Sequence, residues 1–291
     1  ACGRPAVFLC GDEREVQVLS ADLETLTGRR PVTLLGREWQ FRPGAVGSRD
    51  WERSRLAALY ALAQGDAPVV VATADGLMAR TLPPETLRSL AITLEVGGQA
   101  ELGALAEQLL SAGYTRCEQV EGVGQFALRG GILDVFSPLM DQPVRCEFFD
   151  DEIDSMGAFD PGTQRRTRNV SSARILPAAE VLPHCAPGGL PGLADQLTAL
   201  AEKLAKKQKT EAIVQTLRED AERLRSGAAP GAADRYLAAI YPTVTAGVHY
   251  LPPNAVVFLS ESGRVDERVK NTVLQQKQDV EALLSAGVLA G

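Results

Sequence analysis

The spacing of apolar and polar positions changes along this chain. From Pro5 to Met78, short unbroken apolar runs alternate with segments of helical spacing. The runs PAVFLC (5–10), VTLL (32–35) and VVVATA (69–74) read as strands buried on both faces. Between them, EREVQVLSADLETLTG (13–28) and WERSRLAALYALAQG (51–65) carry apolar residues at helical intervals, and each ends in Gly. A short helix follows the third run and stops at Pro83-Pro84. Strand and helix in turn predict a parallel sheet with helices on its faces.

Near Leu90 the pattern shifts. AITLEV (91–96) and the helical AELGALAEQLLSAG (100–113) lead into Gln125–Pro161, which reads as three or four short strands joined by Gly, Pro and Asp-rich turns. The strand around Arg145 has a period of two. Val144, Cys146 and Phe148 face one way as a core stripe, while Arg145, Glu147 and Phe149 face the other. An arginine beside a large aromatic on the water-facing side is the pairing that dominates protein–protein hot spots. The same pattern also fits a Phe149 packed under a neighbouring loop. RILP (174–177) closes the block.

Beyond Pro183, HCAPGGLPG reads as a linker. Leu190 to Ser226 then holds Leu193, Leu197, Leu200, Leu204, Ile213, Leu217 and Leu224 at helical spacing, as one long helical segment. After the breaker GAAPGAA come a short helix (233–241), the strand AVVFLSE (255–261) and a helix over 264–286. That last strand and helix are placed to return and complete the first sheet. The expected division is therefore 1–90, first part of a parallel α/β domain; 91–178, an inserted α+β domain; and 179–291, a helical linker with the second part of the first domain.

Composition narrows the function classes. At 291 residues, 45% hydrophobic and 23% charged, the chain is ordinary globular material, long enough for two or three cores. No apolar run reaches the length of a membrane span, and no signal-like start is present, which predicts a cytoplasmic protein. The net charge of −7 disfavours a grip on nucleic acid by this chain alone. Within 115–180 there are seven Arg, no Lys and eleven acids, a balance that suits a protein partner. The five cysteines (Cys2, Cys10, Cys117, Cys146, Cys185) form no CxxC pair, and with only His184 and His249 beside them a zinc site is not expected. Cys10 and Cys146 read as small core residues.

Candidate chemistry mostly dissolves on its context. Gly122-Val-Gly124-Gln-Phe-Ala127 has the letters of a dinucleotide loop, but strand-like residues follow where a helix N-terminus must cradle pyrophosphate, so it reads as a turn. FFDDEID (148–154) has the outline of a Walker-B strand, yet no GxxxxGK[ST] loop occurs anywhere in the chain. Asp150 and Asp151 are expected in a hairpin turn instead. No Ser/His/Asp order presents itself. The run TQRRTR (163–168) reads as a solvated loop, and Lys203, Lys206, Lys207 and Lys209 as a solvated helix face.

RGGILDVF followed by PVRCEFFDDEIDSMGAFDPGTQR resembles the second domain of bacterial transcription-repair coupling factors. It is similar, more distantly, to the matching domain of UvrB, the B subunit of the Uvr excision nuclease. The likeness extends through REWQF, WERSRLAALYAL, VVVATADGLMARTLPPETL and ARILPAAEV, about residues 5 to 185. It implies a degenerate, helicase-like parallel α/β domain, split in sequence by an inserted α+β UvrB-like domain. The inserted domain would capture UvrA, the A subunit, and so begin transcription-coupled nucleotide excision repair. The family's contact residues fall on Arg129, Arg145 and Phe149. Glu147 is expected to support Arg145, and Gly130-Gly131 to permit a bulge that turns Arg129 outward. The resemblance also implies an N-terminal fragment without catalytic residues or cofactor of its own. ATP and magnesium would belong to a motor, and RNA polymerase and double-stranded DNA to domains, that follow elsewhere in the family. A UvrB-like damage-recognition fragment is the alternative, disfavoured because LGREWQFRPGAVGSRDWERS holds only Trp39, Phe41 and Trp51 where a DNA-stacking hairpin would stand. The helical segment 190–226 as an autoinhibitory surface is a further option.

Overall fold

The computed structural model describes residues 4–42, 50–207 and 210–289, so that Cys2 and Lys209 lie outside the described residues. The chain opens with β1 (Ala6–Cys10), α1 (Glu13–Thr27), β2 (Val32–Leu34), α2 (Asp50–Gln64), β3 (Val69–Thr73) and α3 (Ala74–Met78). The middle contains α4 (Pro84–Leu90), β4 (Ile92–Glu95), α5 (Leu102–Ser111), β5 (Thr115–Arg116), β6 (Gln125–Arg129) and β7 (Ile132–Val135). It continues through β8 (Val144–Phe149), β9 (Glu152–Phe159), β10 (Arg166–Asn169) and β11 (Ser172–Ile175). Last come α6 (Gly189–Leu204), α7 (Glu211–Arg225), α8 (Leu237–Ile240), β12 (Val256–Leu259) and α9 (Ser262–Ser285). The chain divides into one unit of residues 1–51, 64–83 and 181–291 and a second of 52–63 and 84–180.

The first unit is built on a parallel sheet in the order β12-β1-β3-β2. The unbroken apolar run of β3 is explained by burial on both faces, with Val70, Val71 and Ala72 fully enclosed, while β1 and β2 are enclosed at Val7, Cys10 and Leu34 and half-buried elsewhere, and the edge strand β12 is largely exposed. The expected return of the last strand is present, with β12 pairing beside β1 and Phe258 stacking on Phe8 at 4.9 Å between ring centroids. Turn chemistry sets the helix ends. Asp12 caps α1 by accepting the Glu15 N–H at 2.8 Å, and Gly28 closes it in the left-handed region at φ 68°. At α3 the backbones approach so closely that a Cβ on Gly76 would lie 2.4 Å from the Leu34 carbonyl oxygen. Gly76→Ala is therefore expected to cost about 1–3 kcal/mol, the usual cost of overpacking, read as a lowered melting temperature.

The long helical segment expected over 190–226 is instead a pair of helices, α6 and α7, broken at 205–210. The hydroxyl of Thr210 donates to the Leu204 carbonyl at 2.7 Å and helps hold the break. Leu193, Leu197 and Leu204 of α6 and Ile213, Leu217 and Leu224 of α7 are buried. Asp220 is buried too, and accepts a hydrogen bond from the Tyr236 hydroxyl.

In the second unit a six-stranded sheet runs β10-β9-β8-β7-β6-β5, antiparallel except for the β5–β6 pair, with β4 and β11 forming a separate two-stranded ribbon. One face of the large sheet carries the main core, which includes Leu105 and Leu109 of α5 with Phe126, Leu133, Val135, Cys146, Ile153 and Met156. A smaller cluster, Val120, Ala127, Phe136 and Phe159, belongs to the residues of opposite parity. Residues 52–63 of α2 belong to this unit rather than to the parallel α/β unit in which the alternation of strands and helices placed them. Arg55 there forms an enclosed ion pair with Glu180, Nε to Oε1 at 2.7 Å.

Burial pushes the Cys146 thiol up to about 12 and that of Cys10 to about 11. At neutral pH neither holds an appreciable thiolate population, so alkylating reagents should label both only after denaturant is added; labelling of the native chain at either would contradict the burial. Among the described residues no helix is long and apolar enough to cross a membrane.

Candidate docking surface

The register of the large sheet assembles the site. Rows across the strands bring Ala127, Asp134, Arg145 and Gly157 into line, and beside them Arg129, Ile132, Glu147 and Ser155. Two tight turns end this face. Gly130-Gly131 forms a two-residue loop between the paired Arg129 and Ile132, with Gly130 at φ 60°, a conformation that glycine adopts without the strain a side chain would bring. The expected bulge is not there; the register shift lies between β8 and β9, where Asp154 of β9 is the extra residue opposite the Glu147–Phe148 step. Asp150 and Asp151 occupy the other hairpin turn as expected, Asp150 at φ 53°. Gly124, at φ 80°, likewise sits in a turn that feeds a strand and not a helix.

Asp134 is the centre of the arrangement. Its carboxylate is fully enclosed and holds two guanidinium groups. Arg145 donates from Nε to Oδ1 at 2.7 Å and from Nη2 to Oδ2 at 2.8 Å, a bidentate fork. Arg129 donates from Nη2 to Oδ2 at 2.6 Å. The hydrogen bond to Asp134, opposed by partial burial, holds the Arg145 guanidinium above its ordinary value. Arg145 also lies over the Phe159 ring at 4.7 Å and donates from Nη1 to the Gln164 carbonyl at 3.5 Å. Its side chain is only 21% exposed, against 46% for Arg129.

Phe149 stands at 75% exposure; of the large hydrophobics among the described residues only Leu26 is more open. It does not pack under a loop. Glu147, expected beside Arg145 as its support, accepts from the Ser155 hydroxyl at 2.8 Å, while Asp134 supplies the direct contact to Arg145. The run 163–168, expected as a solvated loop, is partly ordered as β10, paired with β9. Arg166 extends across Gly157, where a Cβ would lie 1.9 Å from its Nε, and donates to Ser155 at 3.3 Å.

Sequence reasoning did not find Asp134. An acid in the apolar run GILDVF was its one signal, and only the β7–β8 register, which places it opposite Arg145, turns that acid into a partner.

Residues 92–180 match the UvrB interaction domain family. The transcription-repair-coupling factor of Bacillus subtilis is 30% identical over 288 residues, 98% of this chain and 24% of that protein. That of Myxococcus xanthus is 35% identical over 233 residues, 77% of this chain and 19% of the relative. The Escherichia coli protein of the same name is 34% identical over 178 residues, 60% and 15% respectively. The chain thus spans about a quarter of these relatives or less. It belongs to the transcription-repair coupling factor family, corresponding to the N-terminal region of those proteins and carrying a UvrB interaction domain.

Proposed function

We propose that the inserted domain recruits UvrA, and that it does so through the face bearing Arg129, Arg145, Glu147 and Phe149. The observation that carries this reading is a three-quarters exposed phenylalanine on the same face as two guanidinium groups already fixed on one buried carboxylate. An exposed ring loses water on docking, and prepositioned cations bind with little further ordering. The acidic balance of the domain fits a protein partner better than a phosphate backbone.

In this reading the region delivers the repair machinery to a lesion, beginning transcription-coupled excision repair. The complete family protein supplies an ATP-driven DNA translocase that displaces stalled RNA polymerase, with polymerase, duplex DNA, ATP and magnesium bound by parts outside these residues. The present chain is a binding module and not an enzyme, working in the cytoplasm. Two assays test this. Calorimetric titration of UvrA with the chain is expected to give saturable binding. ATP turnover by the chain alone is expected to match a protein-free blank; turnover above it would favour an enzyme of the UvrB type.

A further inference from the structure

A cleft of about 400 Å³ opens at the carboxyl ends of β2 and β3, within the parallel α/β unit. Arg37 and Trp39, which follow β2, line it together with Asp75 and Ala79, which follow β3. In open α/β sheets this end of the strands is where small ligands bind, in hollows of about 300–1,000 Å³. The facing wall is α9, through Arg268, Asn271, Thr272, Gln275 and Gln276. Those five recur at i, i+3, i+4, i+7 and i+8, the positions that ordinarily carry the apolar stripe a helix turns toward its protein. Here the stripe is polar, while Val273 and Leu274 lie outside the cleft and are half exposed. Amides turned toward a hollow, with the apolar residues left to water, suit a polar ligand and not a packed helix.

Charge in the walls is already matched. Arg37 meets Asp234 at 2.7 Å, both nearly enclosed. Arg268 forks onto Asp75, Nε to Oδ1 at 3.1 Å and Nη2 to Oδ2 at 2.8 Å. Burial works to raise the Asp75 carboxyl, yet the Arg268 fork holds it below its ordinary value, so the pair stays ionised at neutral pH. Among the described residues, Asn271, Thr272 and Gln276 use their side chains in no hydrogen bond, which leaves amide donors, amide acceptors and a hydroxyl free to engage a ligand. Trp39 is held flat: the Arg37 guanidinium lies 4.2 Å from its ring centroid, and the Phe41 ring runs nearly parallel to it at 5.9 Å.

We propose that this cleft binds the uncharged base of a nucleoside, with the α9 amides on the edge of the base and Trp39 against its ring. Side-chain amides pair bidentately with the adenine edge, and an aromatic ring accepts any base. The matched walls select a nucleoside over its phosphate esters. An added phosphate finds no unopposed cation, and it meets Glu13, which stands 3.9 Å from Arg268. A confined hollow of this size holds one planar ring and a sugar, whereas an extended peptide is recognised along a free sheet edge or a long groove. The cleft belongs to the other unit from the docking face, so the proposal does not depend on UvrA.

The test is calorimetric titration of the whole chain with adenosine, beside AMP and the peptide mimic N-acetylalanine methylamide. Adenosine is expected to bind saturably with a Kd of about 0.1–1 mM, the range that a ligand of its size reaches at ordinary efficiency. AMP is expected to bind no more tightly, and the amide not measurably. Asn271→Ala and Gln276→Ala, both at exposed positions of α9, should each weaken adenosine binding about threefold or more while the melting temperature holds. No saturable binding up to about 10 mM adenosine overturns the proposal. AMP binding about tenfold more tightly than adenosine overturns it too, because the walls would then hold an unopposed cation. Tighter binding of the amide would make the cleft a peptide site. Adenosine affinity unchanged in both α9 variants would remove the nucleoside from this cleft.

Discussion

Replacing Glu180 by Ala should cost the second unit about 3–5 kcal/mol, because it removes the carboxylate against which the enclosed Arg55 guanidinium forms its fork, and breaking a buried ion pair from one side is strongly destabilising. The two side chains are 2% and 0% exposed, and they meet as a fork, with Nε to Oε1 at 2.7 Å and Nη2 to Oε2 at 3.3 Å. Glu52, itself buried, also accepts the backbone N–H of Glu180 at 2.8 Å. Two residues of α2 are thereby tied to the last residue of the unit, which closes 84–180 against 52–63. A surface pair of the same chemistry in the same unit, Arg88 with Glu85, should change stability by less than about 1 kcal/mol. Hydrogen exchange in increasing urea reads the difference. The amides of β8 and β9 in Glu180→Ala should open at much lower urea than in the parent, while Glu85→Ala leaves them nearly unchanged. Equal protection in both variants would mean that the enclosed pair contributes no more than the exposed one.

The second large effect is on binding. Phe149→Ala should weaken UvrA capture by about 2 kcal/mol, near thirtyfold in Kd, and leave the fold intact. The ring is three-quarters open, so its removal creates no cavity, and the strand pairing of Phe149 with Glu152 uses backbone alone. Hot-spot anchors are the aromatic groups that pass from water into a pocket, and this ring begins almost wholly in water. A calorimetric titration of Phe149→Ala beside the parent gives the number. A change below about twofold would remove the ring from the interface.

Much of this was legible in sequence, and for stated physical reasons. The unbroken runs at 6–10 and 69–73 read as strands because each is short and apolar between turn signals, and only the second is covered almost throughout; the strand–helix pair at the end of the sequence returns to the same sheet, with 257–259 left exposed at its edge. The period-two pattern at Val144–Phe149 placed Arg145 and Phe149 on the same face, with the Glu147–Phe148 irregularity lying between buried Cys146 and the exposed ring. Three features were beyond reach. The break at 205–210 contains no Gly or Pro, so helical spacing ran through it. The residues of α2 are as apolar as those of any sheet-covering helix, and what marks their unit are contacts far away in sequence: Arg55 to Glu180, Glu52 to the Glu180 N–H, and Arg53 to the Pro138 and Met140 carbonyls. The Asp134–Arg145 contact depends on strand register, which is set by turn geometry and tertiary packing, not by either strand alone.

The most direct measurement is hydrogen exchange of the chain with and without saturating UvrA. Slowed exchange confined to residues 129–132 and 145–152 is the expected footprint. Unchanged exchange there, with protection appearing instead on the exposed strand 256–259 or along α9, would place the partner on another surface and contradict the account.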